Sequence, residues 1–129
     1  MKKVKKGSPP ALEVTEKDFE RLVLKCAVPA LVVFVAEWSA SCSLVDGILD
    51  KLDDGIKKKN RIFKIRHEES MEIAERYNVH NFPTFLFFYN GKITDSIIGL
   101  TSPQEISRKF MNLAQKSKIE STKYIRNRI

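Results

Sequence analysis

The sequence predicts an α/β fold in which a central mixed five-stranded sheet carries helices on both faces. Three observations predict it. The run Ala30-Leu31-Val32-Val33-Phe34-Val35-Ala36 is continuously apolar and rich in β-branched residues, as expected of a strand covered on both sides. Segments of helical spacing precede and follow that run, which implies parallel crossovers. Near residue 90 two strand-like segments flank Asn90-Gly91, a pair suited to a type I′ hairpin turn, so the sheet gains an antiparallel edge.

Taken in order, residues 1–10 read as a basic flexible arm, and Leu12 to Val14 as a short edge strand. Thr15 is the expected N-cap of a helix over about 16–25, with Glu16 and Asp18 near its positive end and Phe19, Leu22 and Val23 on its apolar side. The central strand follows. From Cys42 the spacing of Val45, Leu49, Leu52 and Ile56 predicts one continuous helix, bent at Gly47. Ile62 to Ile65 reads as a strand, and Met71, Ala74 and Tyr77 as a short amphipathic helix. Phe85 to Tyr89 and Lys92 to Ile98 form the hairpin. Ser102-Pro103-Gln104-Glu105 is a capping box opening the last helix, whose buried side carries Ile106, Phe110 and Leu113. After about Ala114 the apolar period fades into a basic tail. The expected organisation is therefore an arm over 1–10, one domain over 11–115 and a tail over 116–129.

Composition narrows the function. Of 129 residues, 43% are hydrophobic, enough for a real core. The net charge of +7 is unevenly placed: each basic flank contributes +4 and residues 11–115 contribute −1. A near-neutral body argues against a nucleic-acid-reading face. The flanks read most simply as solubilising, with attachment to nucleic acid or another acidic partner as the other reading. No apolar run approaches the ~20 residues needed to cross a bilayer, so no membrane partner is expected. The lysine-rich start leads into Gly7-Ser8-Pro9-Pro10 and not into a signal-peptide core, so a cytoplasmic protein is expected. Two cysteines and two histidines make neither a disulfide scaffold nor a persuasive zinc set; no metal and no cofactor are expected.

The segment Ala36-Glu37-Trp38-Ser39-Ala40-Ser41-Cys42 joins the central strand to the next helix, and Phe82-Pro83-Thr84 precedes the hairpin. Together with Asn90-Gly91 and Gly99, these resemble the thioredoxin family over roughly residues 11–115. The resemblance implies a Trp-Cys-x-x-Cys segment, whose first cysteine attacks a substrate disulfide and whose second resolves the mixed disulfide, facing a cis proline. Here the first position is Ser39, and a hydroxyl un-ionised at pH 7 cannot exchange a disulfide. Only Cys42 remains. The buried Asp usual beneath the second cysteine is replaced by Val33, so Lys64, which the resemblance places beside that Asp, must reach solvent or find another acid. The family's helix-bending proline corresponds to Gly47.

Cys26 cannot rescue the pair within one chain. It precedes the central strand and Cys42 follows it, and seven strand residues span roughly 23 Å, against the 7 Å or so that a disulfide tolerates between Cα atoms.

Two functions follow as expectations. The first is a thioredoxin-like protein without dithiol reductase activity that binds a protein or peptide partner. The resemblance implies a groove lined by Trp38, Asn81, Phe82, Pro83, Thr84, Ile98, Gly99 and Leu100 and bordered by His67, where an extended segment adds as a strand and needs no nucleophile. The second is monothiol exchange through Cys42 with a cysteine-containing partner. Plainer readings stand beside these. Ser39 or Ser41 reads as a helix N-cap, Cys42 as a small buried hydrophobe, His67 as a surface or satisfied histidine, and Lys57-Lys58-Lys59 as solvated charge at a helix C-terminus.

Overall fold

A computed structural model describes residues 11–128, with side chains as far as residue 115; the expected basic arm over 1–10 lies outside the described residues. Five strands form one sheet in the order β1-β3-β2-β4-β5, from β1 (Leu12–Glu13), β2 (Ala30–Val35), β3 (Arg61–Arg66), β4 (Thr84–Tyr89) and β5 (Lys92–Ile98). β2 runs parallel to β3 and antiparallel to β4, and β4 pairs antiparallel with β5. The expected mixed sheet is present, with the apolar run at its centre.

All six residues of β2 are buried because both faces are covered. Val32 and Phe34 join Phe63, Ile65, Leu86 and Phe88 on one face, where Phe19 of α1 (Glu16–Phe19), Val23 of the π turn after it, and Ile73 and Ala74 of α4 (Met71–Arg76) close the core. Leu31, Val33 and Val35 join Phe85 and Phe87 on the other, beneath Val45 and Leu49 of α2 (Val45–Asp50) and Ile106 and Phe110 of α5 (Pro103–Arg128). The period of two along the strands thus divides one sheet between two cores.

The helices depart from their sequence expectations in informative ways. α1 (Glu16–Phe19) continues as a π turn over Glu20–Leu24, and Thr15 sits at its N-cap without a side-chain cap bond. The helix expected from Cys42 to Ile56 is not continuous: a 3-10 turn (Ala40–Leu44) leads into α2, and α3 (Asp54–Lys59) starts anew. The break falls after Asp50, and Gly47 lies inside α2. Asp53 causes the restart, because its carboxylate accepts from Gly55 N at 3.0 Å as a new N-cap. Lys57, Lys58 and Lys59 occupy the last turn of α3, where the helix dipole favours them.

The hairpin turn has the expected chemistry, with Asn90 and Gly91 at φ of 55° and 77°. β5 also carries a bulge, since Phe87 pairs with Asp95 and Phe88 with Ile93, leaving Thr94 extra. Ser102 Oγ accepts from Glu105 N at 3.1 Å, but the Glu105 carboxylate turns to Arg108, so only half of the expected capping box forms. The backbone of the last helix continues to Arg128, through the basic stretch where the apolar period fades. Among the described residues no helix is long and apolar enough to cross a membrane.

Candidate functional site

The site is built by strand ends. Register pairs Val35 with Arg66, Phe34 with Thr84 and Thr84 with Ile98, so the segments leaving β2, β3 and β5 and the one entering β4 meet at one end of the sheet. Phe82-Pro83 is a cis peptide bond, as the resemblance implied. Pro83 is buried, and its carbonyl accepts from Gly99 N at 2.9 Å. Gly99 adopts φ of 90° there, a backbone conformation that side chains resist. Thr84 Oγ1 donates to Asn81 O at 2.6 Å, tying the loop to the first residue of β4.

Facing this loop is the segment after β2. Ser39 stands at the N-cap of the 3-10 turn by its backbone angles, but its side chain makes no cap bond. Instead Ser39 Oγ donates to Phe82 O at 3.0 Å. The N-cap reading of Ser39 is therefore right for position and wrong for the hydroxyl, which fastens the cis-proline loop to the motif segment. The carbonyl keeps a second lone pair. Ser41 is half-buried within the same turn.

Cys42 is half-buried and packs against the core that contains Val33. Its Sγ accepts from Ala36 N at 3.3 Å. Cys26 packs against the opposite core, so the sheet separates the two sulfurs and both are free. Val33 is fully buried, and its register partner Lys64 finds the acid it required in Asp46 of α2, with Nζ 2.8 Å from Oδ1. That ion pair ties β3 to α2 across the face where the family resemblance places a buried carboxylate.

Three aromatic rings gather beside the cis-proline loop. Trp38 meets Phe82 edge-on at 5.4 Å between centroids and His67 at 6.4 Å, while His67 and Phe82 lie 4.8 Å apart. Such edge contacts suit the ring quadrupoles. Trp38 and Ile98 each stay 67% exposed, and Leu100 and Asn81 are also exposed. His67 is neither a plain surface residue nor a satisfied one: it is half-buried, and Nδ1 is shut off from solvent with no hydrogen-bond partner. Sequence reading missed one functional contact. Glu68 Oε2 accepts from Glu37 N at 2.7 Å and so anchors the residue beside Trp38. The Glu68 carboxyl is held below the usual range by its own backbone N–H and then by that of Glu37. Two glutamates 31 positions apart give no local signal of this bond.

No group of three or more His, Cys, Asp or Glu side chains is placed to hold a metal ion among the described residues. A cleft of about 640 Å³ opens between β1, β3 and the α2–α3 region, and Leu12, Leu49, Ile62 and Phe63 form its apolar wall. None of the residues named for the groove lines it.

The thioredoxin family model matches residues 10–112. The thioredoxin of Rickettsia bellii (strain RML369-C) is 36% identical over 90 residues, covering 70% of this chain and 86% of that protein. An M-type chloroplastic thioredoxin of Spinacia oleracea is 36% identical over 87 residues, 67% of this chain and 48% of its own length. Thioredoxin 1 of Nostoc sp. (strain PCC 7120 / SAG 25.82 / UTEX 2576) is 29% identical over 98 residues, 76% of this chain and 92% of that protein. With a family match over most of its length and such a relative over more than two thirds of it, the chain belongs to the thioredoxin family.

Proposed function

We propose that this protein binds an extended segment of a partner protein in the groove between Trp38 and Ile98 and does not run a two-thiol disulfide cycle. The observation that carries the reading is Ser39. A hydroxyl stands where the family resemblance puts the attacking thiol, and it is engaged as a donor to Phe82 O. A serine cannot form the mixed disulfide on which the cycle depends. Val33, fully buried, offers no carboxylate to move a proton to or from Cys42. Strand addition draws on backbone hydrogen bonds and side-chain pockets, and neither needs the missing thiol or carboxylate. The exposed apolar surface of Trp38, Ile98 and Leu100 is the kind of patch that a partner covers.

The test is insulin-disulfide reduction driven by dithiothreitol. The protein is expected to add nothing to the rate of dithiothreitol alone, whereas Ser39→Cys, which supplies the missing thiol, raises it. Reduction by the unaltered protein well above that background sinks the proposal. Monothiol exchange is the second reading, and the half-buried position of Cys42 in the same turn favours it. There the Cys42 thiolate attacks one sulfur of oxidised glutathione, forms a mixed disulfide and releases a glutathione thiolate. An adduct that Cys42→Ser abolishes and Cys26→Ser leaves intact would support it; equal yields in the two variants would reject it.

A further inference from the structure

Charge is sorted along the strands of this sheet. At the groove end, the connecting segments 36–44, 67–72, 78–83 and 99–102 contain Glu37, Glu68, Glu69 and Glu72 and no lysine or arginine. All four glutamates are exposed. Among the described residues Arg66, the last residue of β3, is a cation beside them; it pairs with Glu13, Nε 3.3 Å from Oε1, and also feels Glu69 and Glu37, so it offsets one of the four charges. At the opposite end, segments 25–29, 57–61 and 90–92 contain Lys25, Lys57, Lys58, Lys59, Arg61 and Lys92 and no acid. The six residues of β2 separate the two ends by roughly 20 Å. The Debye length at physiological salt is about 8 Å, so the basic end does little to offset the potential at the groove. A chain of net charge +7 thus presents its apolar groove inside an acidic rim.

We infer that the groove takes a cationic extended peptide, with an apolar side chain against Trp38 and Ile98 and Lys or Arg residues on either side of it. The inference rests on the proposed binding role and names the chemistry of the partner. Glu37 and Glu68 are held together by the Glu37 N–H to Glu68 carboxylate bond at 2.7 Å, so the rim is fixed in place beside Trp38. Its like charges repel one another, and a cation brought by the partner relieves that repulsion while it adds attraction. Rim charges act mainly on encounter rate and on discrimination between partners, and the apolar contacts supply the rest. His67 Nδ1, enclosed and unpartnered next to Phe82 and Trp38, is a second polar feature of the same groove.

The experiment titrates three synthetic extended peptides against the full chain, reading the emission of Trp38, the only tryptophan. The peptides share one central leucine and differ only in its neighbours: lysine, glutamine or glutamate. The lysine peptide is expected to bind about tenfold more tightly than the glutamine peptide, as two to three exposed ion pairs provide, and the glutamate peptide most weakly. The spread should shrink between 50 and 500 mM salt, and Glu37→Gln/Glu69→Gln should shrink it too, while Glu68 continues to hold the Glu37 amide. Equal affinity for the three peptides overturns the charge preference and leaves groove binding standing. Absence of binding by all three up to millimolar concentration overturns both.

Discussion

Cys42 has a structural role that does not depend on redox chemistry. Its sulfur is the acceptor for Ala36 N–H, at the point where β2 has ended and the buried backbone still needs a partner. Cys42→Ala removes that acceptor and leaves an N–H enclosed without one, which costs about 1–3 kcal/mol; the low end applies, because sulfur is a weak acceptor. Cys42→Ser keeps an acceptor of nearly the same size. Urea unfolding is therefore expected to rank wild type and Cys42→Ser above Cys42→Ala, and equal midpoints for the two variants would show that the acceptor contributes nothing. At this scale part of the site was legible in the sequence. Trp38, Ser39, Cys42, Phe82 and Pro83 sit in two short motifs, and the two motifs meet at one end of the sheet. The pairings were less legible. Ser39 Oγ reaches across 43 positions to Phe82 O, and Lys64 finds Asp46 eighteen positions away. Such contacts are set by how β2, β3 and α2 stack, and no spacing rule reports them.

Among the elements, the segment from Ala40 to Lys59 is the most instructive. Its apolar residues keep helical spacing, since Val45, Leu49 and Leu52 are buried and Ile56 packs on the same core. Periodicity therefore predicts one helix. Capping decides otherwise: Asp53 offers its carboxylate to Gly55 N, a local bond that competes with helix continuation. Gly47, by contrast, lies within α2, and a Cβ added there meets nothing within 4 Å. Two opposite effects are expected in chemical denaturation. Gly47→Ala should stabilise by about 0.4–1 kcal/mol by restricting the unfolded chain, and Asp53→Ala should destabilise by about 1 kcal/mol through loss of the cap. Destabilisation by Gly47→Ala would mean that the glycine holds a bend after all. Strand and hairpin positions were more legible than helix ends for a physical reason. The apolar run and Asn90-Gly91 encode their structure within a few residues, whereas a helix terminus is settled by whichever side chain wins the free backbone groups.

Across the whole molecule, the sheet is clamped to its helices by ion pairs as well as by the two cores. Lys109 of α5, whose side chain is only 16% exposed, holds Asp95 of β5 with Nζ 2.9 Å from Oδ2. Glu105 binds Arg108 and also lies 3.9 Å from Lys109. The carboxyls of Asp95 and Glu105 are held below their usual ranges, chiefly by the hydrogen bonds from Lys109 and Arg108 respectively, and Glu68 is lowered at the groove. A carboxyl whose folded pKa is depressed binds protons less readily than its unfolded counterpart, so its contribution is complete above the unfolded values of about 3.9–4.3. It is lost as pH falls from there through the lower folded value. The urea midpoint is therefore expected to hold steady from pH 7 to about 5 and to fall below about pH 4. Asp95→Asn isolates one share of that slope. Because the Asp95 side chain is 43% exposed, solvent screening limits the loss at pH 7 to under about 1 kcal/mol. Below about pH 4 the difference between the variant and the unaltered protein should narrow, since protonation of the unfolded and then of the folded carboxyl progressively removes the charge that the substitution removes. A difference that persists undiminished at pH 3 would assign Asp95 to neutral hydrogen bonding and not to the ion pair with Lys109.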